Sequence, residues 1–320
     1  MEQQKREKLK NMDTRKGMNE MSNENGILLE SGTNELEIVE FEVAGNKYGI
    51  NVIKVKEIIV PMTITPIPHS DPSVEGIIQL RGEILPVINM ERVLGVGPSS
   101  NPKNDKYIVS SFNKQQVVFH VHNVTMIHRI SWGAIEKPSG AYSSGSSAII
   151  GVIKLGEEML LMLDFEKIVT EISPETGIRV EEVRKLGPRG RSDKRLLIAE
   201  DSPLLRKLLQ ETLSEAGYDR LEFFENGKEA LTYLEHAAEQ GDITDEIQLV
   251  ITDIEMPQMD GHHLTKRIRN HKGLSKLPVI IFSSLITDDL KHKGNSVGAD
   301  EQVSKPEIAD LVLKIDQLVL

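Results

Sequence analysis

Between Arg179 and Arg195 the chain runs RVEEVRKLGPRGRSDKR, and there its apolar pattern stops. Gly187, Pro188 and Gly190 sit among charges with no apolar stripe, which is linker composition. The rhythms on the two sides do not belong to one sheet. Upstream, short runs of alternating apolar and polar residues are separated by turn residues. Downstream, continuous apolar runs alternate with helical patterns. Two folds on one chain satisfy both rhythms, and 320 residues are enough for two domains of about 150. The expected division is a tail over 1–34, a first domain over 35–178, a linker over 179–195 and a second domain over 196–320.

Residues 1–34 are rich in Glu, Gln, Lys, Asn and Met, which predicts a disordered tail or a frayed amphipathic helix. From Glu35 the pattern changes. Val39, Phe41 and Val43 alternate with Glu40 and Glu42, the run breaks at Ala44-Gly45-Asn46-Lys47, and Tyr48, Ile50 and Val52 resume it, as in a hairpin. Gly82–Ile88, Tyr107–Val109, Val117–Phe119, Ile149–Ile153 and Met159–Leu163 have the look of further strands. Short strands between Gly, Pro and Asn turns predict an all-β, barrel-like domain. The Met-rich run 159–162 is expected in its core, with Trp132 as core or domain-contact filler.

Beyond the break, Leu196–Ala199 precedes a helix from about Pro203, Leu249–Ile251 one near Gly261, and Val279–Phe282 one near Thr287. Buried strands alternating with helices call for an α/β, doubly wound parallel sheet.

Composition narrows the function classes. The chain carries 49 acidic and 38 basic residues, a net charge of −11, which suits no nucleic-acid binder. It has no cysteine, so disulfides, thiol catalysis and cysteine-ligated metal sites are excluded. The first ten residues are charged, unlike a signal peptide, and no apolar run approaches the ~18 residues of a spanning helix. A cytoplasmic protein without membrane insertion is expected.

In open α/β sheets, chemistry gathers outside the carboxyl ends of the strands. Here those ends carry Glu200-Asp201-Ser202, Thr252-Asp253, Ser283-Ser284 and Ser304-Lys305-Pro306. Converging carboxylates repel unless a cation intervenes, and oxygen ligands without His or Cys point to Mg²⁺. A helix cap or turn explains any one of these acids, such as Asp201 before Ser202-Pro203 or Asp260 before Gly261. It does not explain the ordered set. Leu196–Ser202, the run Thr252-Asp253-Ile254-Glu255-Met256-Pro257-Gln258-Met259-Asp260-Gly261, Ser283 and Lys305-Pro306 resemble the receiver domain of two-component response regulators.

The resemblance implies a flavodoxin-like fold and a role for each matching residue. Asp253 would be the phosphoacceptor. Glu200, Asp201, Asp253 and the backbone carbonyl of Glu255 would hold Mg²⁺. Ser283 would be the switch hydroxyl, and Lys305, before a proline usually preceded by a cis bond, would pair with the phosphate. Two positions depart from the pattern: Glu200 stands where Asp is commoner, and Gln302 where a switch aromatic is usual. A haloacid-dehalogenase-type phosphatase requires a second Asp two residues after the first and then Thr. This chain has Glu255 and Pro257 at those places.

In the first domain, Tyr48-Gly49-Ile50, the run Ile53-Lys54-Val55-Lys56-Glu57-Ile58, Ile77–Val87 around Leu80-Arg81-Gly82, and Gly151 with Met159–Asp164 resemble the CheW family of chemotaxis coupling proteins. That resemblance implies a double five-stranded barrel around a shared core. It also implies docking to a chemotaxis histidine kinase and to the cytoplasmic tips of chemoreceptors, with recruitment to receptor arrays at the membrane. Arg81 matches an arginine implicated in coupling, and Glu57 and Val55 are further candidates. Arg81 paired to a carboxylate such as Glu57 is the plain alternative, and Gly82 suits a tight turn. His120 and His122 alternate on one strand, but no nearby carboxylate completes a metal set. The two resemblances together imply an adaptor between receptors and kinase, not a metabolic enzyme, with coupling modulated by phosphorylation at Asp253. The rivals are a phosphate sink or scaffold, and a transcriptional regulator, for which no helix-turn-helix or basic face is seen.

Overall fold

The computed structural model describes residues 34–112, 115–136, 148–174, 177–286 and 288–319. The expected tail lies outside them except for Asn34. The predicted hairpin is β1 (Glu35–Val43) and β2 (Asn46–Asn51), with Val43 opposite Asn46. Its turn residues Ala44 and Gly45 both have positive φ (51° and 78°), as a two-residue hairpin loop with right-twisted strands requires. The domain continues through β3 (Val55–Ile59), β4 (Val74–Leu80), β5 (Glu83–Asn89), α1 (Met90–Leu94), β6 (Lys106–Phe112) and β7 (Gln115–Val121). It closes with β8 (Asn123–Ser131), β9 (Ile149–Leu155), β10 (Glu158–Leu163) and α2 (Phe165–Ile172).

These strands form two five-stranded sheets, ordered β8-β1-β2-β10-β9 and β3-β6-β7-β5-β4. The inner faces meet in one core: Phe41, Tyr48 and Ile50 from the first sheet pack with Ile88, Ile108 and Phe119 from the second. Phe165 of α2 fills the seam, edge-on to Phe41 and Phe119. Glu40, the polar residue between Val39 and Phe41, is itself buried, and Thr125 and His128 bond its carboxylate at 2.7 and 2.6 Å. One sequence reading needs correction here. In the Met-rich run Leu160 and Met162 are buried, and Leu161 packs partly buried against the shared core. Met159 is on the other face of the strand and 64% exposed.

The second domain comprises α3 (Val180–Arg184), β11 (Ser192–Ala199), α4 (Pro203–Glu215), β12 (Tyr218–Phe224), α5 (Gly227–Gln240), α6 (Ile243–Glu246) and β13 (Leu249–Thr252). After them come α7 (Gly261–Asn270), β14 (Val279–Ser283), α8 (Asp288–Val297), β15 (Glu301–Ser304) and α9 (Ile308–Val319). All five strands are parallel, in the order β12-β11-β13-β14-β15, a doubly wound flavodoxin-like sheet. Apolar layers cover both faces, one with Leu213, Ile280 and Leu311, the other with Leu231, Val250 and Leu264.

The stretch expected as a linker is largely wrapped onto this domain. Val183 enters its core, Arg189 pairs with Asp316 at 2.5 Å, and β11 begins at Ser192; Ile178, expected as the last residue of the first domain, also joins this core. Val183 and Leu186 are a single helical turn of apolar residues, too short to show periodicity among charges. Among the described residues the two domains share no buried apolar cluster. Their joint is polar and made by loops and the first turn of α2. The Gln258 amide donates to the Trp132 carbonyl at 3.1 Å, and Asn34 bonds Gln258 and Asp260.

Candidate functional site

Glu200 and Asp201 follow β11, Asp253 follows β13, Ser283 closes β14 and Lys305 follows β15, so parallel pairing alone brings them to one edge of the sheet. Lys305 is fully buried, with its Nζ 2.9 Å from Asp253 Oδ2 and 2.8 Å from Glu200 Oε2. Carboxylate oxygens of Glu200, Asp201 and Asp253 lie within 4.8 Å of one another. Asp253 is fixed by its own backbone: its amide donates to the Ala199 carbonyl, and its Oδ1 accepts from the Ile254 amide at 2.6 Å. Gly261 is obligatory beside it, since a Cβ there would lie 1.9 Å from the Asp253 carbonyl oxygen.

Ser202, not Asp201, caps α4, accepting from the Leu205 amide with Pro203 in the first turn, which leaves the Asp201 carboxylate to the cluster. Asp260 is a cap, accepting from the His263 amide at 2.7 Å. Arg206, which the sequence did not single out, donates to the carbonyls of both Glu200 and Asp201 and so shapes the acidic loop. The Lys305–Pro306 bond is cis.

Burial pushes Glu200 up to about 7, with Asp253 adding to the rise and Lys305 opposing it. Burial, then Glu200 and Asp164, raise Asp201 as well. Buried acids crowded in this way gain most from a divalent cation, and an all-oxygen set fits Mg²⁺. Burial alone would lower Lys305, yet Asp253 and Glu200 hold it above its ordinary value. Ser283 Oγ is buried, and its contact with the Leu285 amide is long, at 3.5 Å. Gln302 donates to the Lys291 carbonyl and to Asn295 of α8, tying β15 to that helix where an aromatic would stand. A small cleft reaches this edge from the first domain, lined by Asp164, Glu166, Ser202, Leu205, Lys305 and Pro306.

Over in the first domain, Arg81 and Gly82 are the two-residue turn between β4 and β5, with φ of 50° and 92°. Arg81 bonds Glu57 Oε2 at 2.8 Å, while its side chain is 75% exposed. Val55 opens β3 opposite Ser110. The structure brings these three to one sheet of the first domain. The histidines find carboxylates remote in sequence: His120 lies between Glu75 and Asp105 (3.0 and 3.1 Å), and His122 reaches Glu91 at 2.7 Å. Trp132 is core, and its carbonyl is also a domain contact.

A two-sheet coupling module joined to a parallel α/β receiver defines a signalling adaptor with a built-in receiver. Residues 37–173 match the CheW-like domain family and residues 196–316 the response regulator receiver domain family. Chemotaxis protein CheV3 of Helicobacter pylori is 30% identical over 280 residues, covering 83% of this chain and 88% of the relative. Chemotaxis protein CheW of Thermotoga maritima is 30% identical over 144 residues, 45% of this chain and 94% of the relative. Among solved structures, scaffolding protein TtCheW from Thermoanaerobacter tengcongensis is 28% identical, with a TM-score of 0.40 over 42% of this chain and 86% of that one. The chain belongs to the CheV family of chemotaxis proteins, and is therefore a coupling adaptor of two-component signalling, not a metabolic enzyme. Among the described residues no helix is long and apolar enough to cross a membrane.

Proposed function

We propose that this adaptor links cytoplasmic chemoreceptor tips to the chemotaxis histidine kinase, and that phosphorylation of Asp253 by that kinase modulates the coupling. The observation that carries this reading is Lys305 bridging Asp253 and Glu200 at one sheet edge, with Asp201 beside them. Glu200, Asp201, Asp253 and the Glu255 carbonyl would hold Mg²⁺, which when bound would supply positive charge to phosphoryl oxygens. In the transfer the phosphorus–nitrogen bond of a phosphohistidine breaks as an Asp253 oxygen bonds phosphorus, and the electron pair leaves on the imidazole. Lys305 is already 2.9 Å from the acceptor carboxylate and pairs with the added charge. Ser283 gives up only a long contact to reach the phosphoryl group.

Arg81, Glu57 and Val55 are the proposed contact residues of the coupling sheet. Arg81 is exposed and held at positive φ, a conformation that costs energy in a non-glycine residue. The same reading puts the protein in the cytoplasm, recruited to receptor arrays, and calls for no nucleic-acid partner. The test is transfer from radiolabelled phospho-kinase with Mg²⁺, read together with kinase activity in the presence of receptor. Wild type should take label and change kinase activity. Asp253→Ala should take none, and Asp260→Ala, which loses only a helix cap, should keep it. Label on Asp253→Ala overturns the acceptor assignment. Label without any change in kinase activity favours a phosphate sink.

A further inference from the structure

Two receiver loops flank Asp253: the one running from Asp253 to Asp260, and the one after β14 that begins at Ser284. The same two residues of the coupling domain hold both. Lys54 ends the turn after β2 and is buried, with its Nζ 2.6 Å from Glu255 Oε2 and 3.1 Å from Glu166 Oε1. Glu166 Oε1 also accepts from Ser284 Oγ at 2.5 Å. Asn51 completes the grip, its Nδ2 donating to Glu255 Oε1 at 2.7 Å. Each partner therefore sits next to a residue of the proposed chemistry: Glu255 two positions beyond Asp253, Ser284 one beyond Ser283. Asp164 caps α2 and so fixes the turn that carries Glu166.

We infer that Lys54 and Glu166 form an interdomain latch, closed over the unphosphorylated receiver and opened by a phosphoryl group on Asp253. The inference rests on the reading of Asp253 as the acceptor. Three physical effects act in the same direction. A phosphoryl group carries about −1.5 to −2 charge in place of the −1 of the Asp253 carboxylate, a net gain of about −0.5 to −1 on the same side as Glu166, which is already ionised and buried against Lys54. It also claims Lys305, one of the two cations that hold the Glu166 carboxyl down to about 2 against burial. And Ser283, drawn to the phosphoryl oxygens, carries Ser284 with it, and a hydrogen bond of 2.5 Å does not survive a displacement of about 1 Å. Linkage makes the effect reciprocal: contacts that phosphorylation breaks also make the closed chain a poorer acceptor. Opening bares Asn51, Lys54, Asp164 and Glu166, a charged face of the coupling domain.

The test uses the full chain with beryllofluoride and Mg²⁺ as the phosphoryl mimic, measuring its affinity and the hydrogen exchange of segments 51–55 and 164–168. The latch predicts exchange at both segments faster by at least about tenfold when the mimic binds. Two variants loosen the closed state without leaving a buried charge unpaired. Glu166→Gln keeps Lys54 on Glu255, and Ser284→Ala keeps Glu166 on Lys54. Both should bind the mimic at least about fivefold more tightly than wild type. Binding with exchange unchanged at both segments, or equal affinity in all three chains, overturns the latch and leaves the acceptor reading standing. No binding by wild type removes both.

Discussion

Arg81 shows how one residue can be costly to the fold and useful to the surface. Its φ of 50° beside Gly82 at 92° is the turn geometry that favours Asn-Gly, and in its ion pair with Glu57 the arginine side is mostly exposed. Arg81→Asn is therefore expected to stabilise the chain by about 0.5 kcal/mol in urea unfolding. It should also weaken co-sedimentation with receptor and kinase, and stability and binding moving in opposite directions is the signature to look for. His120 offers a second check. Burial opposes its protonation, but Glu75 and Asp105 outweigh that and raise it above 6.5, while His120 and Asn89 hold Glu75 below its usual range. A raised histidine stabilises the fold fully below pH 6.5, and the contribution is lost as pH climbs through its folded value. The lowered Glu75 contributes above about 4.5 and is lost as pH falls. Stability from this cluster should peak between those limits. His120→Gln should cost about 1.5–3 kcal/mol at pH 6 and clearly less at pH 8, by urea unfolding at each pH.

At the scale of elements, Gly261 joins the start of α7 to the end of β13 without room for a methyl group. Gly261→Ala should destabilise the receiver by at least about 2 kcal/mol and abolish phosphoryl labelling, because the helix can yield only by displacing Asp253. The receiver site was legible in sequence because each polar pair ends a short apolar strand, so order along the chain becomes proximity through parallel pairing. The hairpin was legible from Val39–Ile50 for a similar local reason. β8 was not, since Thr125, Met126, Ile127 and His128 break the alternation at a sheet edge where both faces are partly wet. Nor was the joint: Lys54 and Glu166 lie 112 positions apart, and Asn51 and Glu255 204 apart. No local pattern marks a lysine that will be buried between two distant acids.

At the scale of the molecule, two separate cores predict two calorimetric transitions rather than one. They also predict where the chain divides. A receiver fragment starting at 196 lacks Ile178, Val183 and the Arg189–Asp316 pair, so one starting at 177 should be more stable by at least about 2 kcal/mol in urea. The coupling domain keeps its whole core either way and should still co-sediment with receptor and kinase. The polar joint has one more consequence, which concerns temperature. Separating apolar surfaces raises heat capacity, whereas separating polar ones lowers it slightly, and curvature with temperature follows from that difference. A joint closed by Lys54, Asn51, Glu166, Glu255 and Ser284, with no apolar cluster spanning it among the described residues, opens with little net change in heat capacity. Its enthalpy of opening is then nearly constant, so the balance between closed and open chains should follow a straight van 't Hoff line through the range in which a cell swims.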